Sequence, residues 1–258
     1  INGIEIERKI FMPHGENTTV CRWQVKNQSQ VANRQLQIEL KPLLSFCDYH
    51  HLQRENPELK FDYEAAENLT KIKSFNDLPA LFFNHNARSI ERSGFWYRDF
   101  EYAVERERGF DFHEDLFQPF VLKFDLSEPA VVIVSTEKRD FRDAEKLEKA
   151  EIGRRAELIE TAGATDDLAM QLALAADQFI VKRGEGKTII AGYHWFSDWG
   201  RDTMIALSGL TLAANRAEIA RQILLEFSRH ISEGMLPNRF PDAGDEAVAY
   251  LHYFHGAT

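Results

Sequence analysis

The stretch Ala191-Gly192-Tyr193-His194-Trp195-Phe196-Ser197-Asp198-Trp199-Gly200-Arg201-Asp202-Thr203 packs aromatic rings, two glycines and an Arg-Asp pair into a short loop. A helical pattern follows at once, from near Asp202 through Leu212. A loop that runs into a helix is a place where side chains converge on a ligand. An aromatic face can stack on the C–H face of a pyranose, while a guanidinium and a carboxylate can each take two neighbouring hydroxyls. The same residues also read as core aromatics with a helix cap and a structural Arg201–Asp202 pair. From the chemistry alone the two readings stand level.

Working outward, helical spacing surrounds the loop. Thr165 followed by Asp166 and Asp167 suits a helix start, with Leu168, Leu172, Ala176 and Phe179 along one face. A later helix over 217–233 aligns Ile219, Ile223, Phe227 and Ile231, then stops at Gly234 with Pro237 beyond. Three helices without intervening strands predict an all-α second domain. Gly184-Glu185-Gly186-Lys187-Thr188 ends like a phosphate-binding loop, but Val181 stands where the motif needs glycine, so a turn is the reading preferred.

Further upstream the period becomes two. Ile4 and Ile6, then Cys21, Trp23 and Val25, then Leu36, Ile38 and Leu40 alternate with polar residues. Turn-like His14-Gly15-Glu16-Asn17 and Asn27-Gln28-Ser29 lie between them. Phe95-Trp96-Tyr97, Phe120-Val121-Leu122 and Val131-Val132-Ile133-Val134 continue the series. Many short strands predict an antiparallel β-sandwich over 1–135. Residues 136–160 hold fifteen charges of nearly balanced sign, with Glu145–Lys149 and Glu151–Arg155 spaced i,i+4, which predicts a solvated helix linking this domain to 161–258.

Composition narrows the function. The chain is 258 residues long, 44% hydrophobic and 28% charged, and has no run of about 20 uncharged apolar residues to cross a membrane. A formal charge of −10 argues against nucleic acid or an anionic membrane as the main partner and favours a neutral or cationic one. Cys21 and Cys47 are too few for a disulfide framework. His50-His51 and His113-Glu114-Asp115 do not converge on one ion by strand geometry, so no metal and no cofactor are expected.

The segment 191–210, AGYHWFSDWGRDTMIALSGL, closely resembles the opening of the catalytic domain of amylo-α-1,6-glucosidases, the bacterial and archaeal type of glycogen debranching enzyme. Gly234-Met235-Leu236-Pro237-Asn238-Arg239-Phe240-Pro241-Asp242 resembles that family's next loop. Residues 7–25, 42–51 and 107–116 resemble its N-terminal β-sandwich, with Cys47 where the family usually has Arg. After Tyr250, Leu251-His252-Tyr253-Phe254-His255-Gly256 departs from the family's pattern.

The resemblance implies a β-sandwich followed by the first helices of an (α/α)6 barrel of the six-hairpin glycosidase type. It also implies inverting hydrolysis of α-1,6-linked glucose at branch points, in the cytoplasm, with glycogen, limit dextrin or a related α-glucan as the partner. Arg201 and Asp202 would hold the terminal glucose, Trp195 and Trp199 would stack, and Asn238 and Arg239 would assist from the neighbouring loop. An inverting site needs two separated carboxylates, one acid and one base. Twelve barrel helices need roughly 200 residues, and 98 follow Glu160, so the acid and base are expected beyond residue 258 and the chain is expected to be a truncated, inactive fragment. The alternatives are a non-catalytic glucan-binding module, or another barrel α-glucosidase such as a glucoamylase or trehalase.

Overall fold

The structure is a computed structural model that describes residues 4–26, 36–47, 51–59, 62–75, 78–193, 196–240 and 253–254. The chain divides into two compact units, residues 1–149 and 150–258.

The first unit is built from two antiparallel sheets. Strands β1 (Ile6–Phe11) and β2 (Thr18–Val25) form a hairpin in the register Ile6 with Val25. Its turn bends where Gly15 takes φ 75°, a conformation that suits a residue without Cβ. Strands β3 (Gln37–Leu40), β4 (Tyr63–Ala66), β5 (Leu69–Ile72) and β6 (Leu81–His85) follow. Two long strands, β7 (Ser89–Glu101) and β8 (His113–Asp125), come next with the short helix α1 (Ala103–Glu107) between them, and β9 (Ala130–Ser135) completes the unit's strands. One sheet has the order β1-β2-β9-β6-β5-β4 and the other β3-β8-β7. The antiparallel β character expected of this half is present.

A single core joins the two sheets. Phe120, Leu122 and Phe124 alternate along β8 and are almost fully buried with Phe83 of β6, Ile72 of β5 and Val132 of β9. The Phe120 ring meets the Tyr63 and Phe83 rings edge-on at 5.2 and 5.1 Å, so aromatic packing crosses from one sheet to the other. On the opposite face of the larger sheet, Val20 and Ile133 pack against Ala144 and Leu147, the first turns of α2 (Ala144–Ala162).

Within His113-Glu114-Asp115, the two carboxylates hold neighbouring segments of the first unit by hydrogen bonds. Glu114 accepts from the Gln53 N–H at 3.2 Å and from the Tyr102 hydroxyl at 2.5 Å, and Asp115 accepts from the Glu55 and Asp99 N–H groups at 2.8 and 2.9 Å. Those N–H donors, led by Asp99, hold the Asp115 carboxyl below its ordinary range although burial opposes them. Burial and the Glu114 carboxylate push the Tyr102 phenol well above its own. Among the described residues, no group of three or more His, Cys, Asp or Glu could hold a metal ion.

In the second unit, α3 (Asp167–Gln178) is capped by Asp166, whose carboxylate accepts from the Ala169 N–H. The helices-only expectation is corrected here: β10 (Ile180–Arg183) and β11 (Gly186–Ile189) form an antiparallel hairpin before α4 (Gly200–Leu210) and α5 (Ala217–Ser228). The expected turn at Gly184 is real, with φ 52°. Its flanks, Ile180-Val181 and Thr188-Ile189, are β-branched and pair across it. Ile180 and Ile189 bury against Ile223, Phe227 and Phe240, so the hairpin supplies part of this unit's core.

Two helix faces also differ from expectation. Leu168 and Leu172 are 67% and 60% exposed, while Ala173, Ala176 and Asp177 are the buried positions of α3. Helix α5 ends at Ser228, leaving Ile231 exposed. The charged helix α2 is not wholly solvated either. Glu151 is buried, bridging Arg154 and Arg155, and Arg154 reaches on to the buried Asp177, which Arg216 also meets at 2.8 Å. A short strand β12 (Leu236–Pro237) pairs with β13 (Tyr253–Phe254).

Candidate functional site

The site is assembled where two loops of the second unit meet at the N-terminus of α4. The Gly200 N–H donates to the Asn238 carbonyl at 2.8 Å, and Trp199 and Arg239 form an antiparallel bridge. The Phe240 N–H donates to the Asp198 carbonyl at 3.3 Å, closing the pairing. These bonds bring residues forty positions apart to one place, so Trp199, Asn238 and Arg239 stand together. Arg201 and Asp202 follow on the exposed first turn of α4, where a carboxylate is favoured by the helix dipole. Trp195 lies outside the described residues.

The ring of Trp199 is half-buried, with the Arg239 guanidinium 5.7 Å from its centre. That arrangement keeps a planar cation beside an aromatic face, the pairing that can present both stacking surface and hydrogen-bond donors to a polyhydroxyl ligand. Tyr193 and Phe196 of the same loop are exposed. The Tyr193 hydroxyl donates to the Gln178 carbonyl at 2.6 Å, which tethers the loop to the end of α3.

Beneath the exposed residues is a buried support that spacing does not reveal. Asp198 is 2% exposed and accepts two hydrogen bonds from Arg183 of β10, from Nε to one oxygen and from Nη2 to the other at 2.7 Å. The same guanidinium stands 4.6 Å over the Phe240 ring, and Phe240 packs on Phe227 of α5. Thr203, fully buried, donates from Oγ1 to the Ile189 carbonyl at 3.0 Å and so fixes α4 to β11. Thus the hairpin holds both loops. The signal in sequence was partial: Asp198 is an acid among aromatics, but its partner lies fifteen residues away with nothing to announce it.

The arrangement offers binding chemistry: exposed donors and acceptors on a braced frame. Of the carboxylates here, Asp198 is committed to Arg183, and Asp202 stands in the α4 turn beside Arg201.

Comparison with family models matches residues 1–133 to the N-terminal region of glycogen debranching enzymes and residues 174–252 to amylo-α-1,6-glucosidase. Comparison with curated proteins and with solved structures returned no match.

Proposed function

This chain belongs to the glycogen debranching enzyme family, and from that premise we propose that its second unit carries the glucose-holding face of an amylo-α-1,6-glucosidase. The substrate is an α-1,6-linked glucose at a branch point of glycogen or limit dextrin. The observation that carries this reading is the junction of Gly200 with Asn238, beside the Trp199–Arg239 bridge, which joins the loop of residues 238–240 to the start of the helix that bears Arg201 and Asp202.

In this reading Arg201 and Asp202 take paired hydroxyls of the terminal glucose through charge-assisted hydrogen bonds. Trp199, with Trp195, offers its ring to the C–H face, and Asn238 and Arg239 complete the site. Hydrolysis with inversion then needs an acid that protonates the leaving oxygen and a base that activates water from the opposite face. Neither role is given to Asp198, which is buried in its ion pair, or to Asp202, which holds sugar. Both belong to loops of an (α/α)6 barrel whose first helices are α3, α4 and α5. Support for that barrel comes from Leu168, Leu172 and Ile205, large apolar side chains that face outward on those helices as barrel neighbours would require.

Affinity electrophoresis in glycogen, with glucose release from limit dextrin measured alongside, tests the proposal. Retarded migration without glucose release is expected. Unretarded migration would overturn the glucan reading, and glucose release would overturn the assignment of acid and base outside these residues. Among the described residues no helix is long and apolar enough to cross a membrane.

A further inference from the structure

The first unit carries a groove of about 700 Å³, within the range of sites that hold small ligands. One wall is the turn between β4 and β5, with Asn68; the other is the segment that leads from β9 into α2, ending in the 3₁₀ turn Phe141–Asp143. The loops around α4 have no part in it.

Its wall is built, not loose. The Glu137 N–H donates to the buried Ser135 hydroxyl at 3.0 Å, and the Arg139 N–H donates to the buried Asn84 side-chain oxygen at 3.1 Å. Asp140 accepts from both the backbone N–H and Nη1 of Arg142, at 2.9 and 3.2 Å. Across the turn, the Asn68 amide donates to the His85 carbonyl at 3.2 Å. A ligand that enters finds these groups already ordered, which lowers the entropy cost of binding them.

The chemistry of the lining selects the ligand. Lys138, Arg139 and Arg142 are interleaved with Glu137, Asp140 and Asp143 along one wall, three cations and three anions, with Arg139 bonded to Glu137 and Arg142 to Asp140, each at 3.2 Å. A strongly charged ligand would meet as much repulsion as attraction. A neutral polyol can instead donate to the carboxylates and accept from the cations, with paired hydroxyls matching both planar groups. Half-buried Phe141 adds an aromatic ring, and the Arg142 guanidinium stands over it at 5.1 Å. Held there by Asp140, this stack is a flat surface of mixed apolar and donor character, suited to a sugar ring.

We infer that this groove is a second glucan-holding site, taking a short run of uncharged glucose units away from the residues around α4. The identity of the sugar rests on the glucan reading above; the existence of a neutral, ring-binding groove rests on its own lining. Such a site would hold one part of a branched polymer while another part is engaged elsewhere, raising the effective concentration of chain ends.

The test is glycogen affinity electrophoresis of the full chain and its variants. Lys138→Ala with Arg142→Ala, both at exposed positions, should weaken retardation about threefold to tenfold. Arg201→Ala with Asp202→Asn should weaken it independently, and all four changes together should weaken it by the product of the two effects. Phe141→Ala, compared at matched thermal midpoint, should behave like the Lys138/Arg142 pair. If retardation stays unchanged in the Lys138/Arg142 and Phe141 variants while the Arg201/Asp202 variant loses it, the second site is refuted and the first stands. If the unaltered chain is not retarded at all, the glucan reading fails and takes the sugar assignment of this groove with it.

Discussion

Arg183 and Asp198 form a two-pronged ion pair whose carboxylate is almost wholly removed from water, and it joins the β10–β11 hairpin to the loop that carries Trp199. A buried charge that loses its partner is costly, commonly by about 3 kcal/mol or more. Arg183→Gln, which leaves the buried Asp198 carboxylate without its cation, should therefore destabilise the second unit by about 3 kcal/mol, read as a lower urea midpoint in hydrogen exchange of the β11 amides. Glycogen retardation should fall with it, because the pair supports the Trp199–Arg239 bridge. Retention of wild-type exchange rates in this variant would show that the pair does not brace the loop.

Arg201 and Asp202 are exposed on the first turn of α4 and take no part in the hydrophobic core of their unit. Arg201→Ala and Asp202→Asn should leave the melting midpoint nearly unchanged while weakening retention by glycogen about tenfold each, the usual worth of a hydrogen bond to a charged group. Loss of stability without loss of retention would return these two residues to the capping role that the sequence allowed.

His85 of β6 is fully buried. The Ala87 N–H donates to its Nδ1 at 3.1 Å, so Nδ1 is the acceptor, the proton sits on Nε2, and Nε2 donates to the Thr70 hydroxyl at 3.2 Å. Burial pushes its pKa from 6.5 down to about 4. The native state thus resists a proton that the unfolded state takes up below pH 6.5. Stability of the first unit should be fully present above pH 6.5 and fall as the pH drops toward 4, by on the order of 3 kcal/mol. Urea titrations at pH 7, 5.5 and 4 measure it, and His85→Gln should flatten that slope.

Glu151 shows the opposite sign. Hydrogen bonds from Arg154, and then from Arg155, hold its carboxyl at about 2 against an ordinary 4.5, although burial opposes them. Burial alone would push Asp177 up, yet Arg154 and Arg216 together bring it below its usual value. Glu151 contributes stability that is present above pH 4.5 and lost as the pH falls toward 2, and Asp177 contributes in the same sense, its share lost as the pH falls below its ordinary 3.8. The second unit should therefore weaken in that lower window, which opens as the His85 effect on the first unit approaches its end. Glu151→Gln should remove part of this acid sensitivity, and an unchanged acid transition would show that the Arg154 network does not govern it.

How far the sequence discloses this molecule depends on the range of the interactions involved. Alternation at Cys21, Trp23 and Val25 and at Ile38 and Leu40 announces strands because burial of one face is a local pattern. The turn at Gly184 was legible for the same reason, but the strands beside it were hidden. Ile180-Val181 and Thr188-Ile189 are too short to show a period, and only pairing with each other and burial on Ile223 reveal them. The aromatic loop that runs into α4 was readable from residue types. Its support by Arg183 was not, because a contact fifteen residues away leaves no local mark. The burial of Glu151 was concealed likewise: charge spacing on α2 suggests solvent, and Asp177, twenty-six residues on, shares Arg154 with it.

The outward apolar faces of α3 and α4 lead to the last expectation. Ile205 is 75% exposed and Leu168 and Leu172 nearly as much, more apolar surface than ordinary solvated helices present. If these faces are barrel surfaces awaiting neighbours, replacing them should cost this chain almost nothing. Leu168→Glu with Ile205→Glu should change its melting stability by less than about 0.5 kcal/mol, as for surface substitutions generally. The same pair should lower self-association in sedimentation and leave glycogen retention intact, since neither residue belongs to the Trp199–Arg239 bridge. Inside a closed barrel the two charges would instead be buried unpaired, at a cost of several kcal/mol. A marked destabilisation of this chain by the two substitutions would mean that the faces are already covered, and the barrel reading of α3 and α4 would lose its physical support.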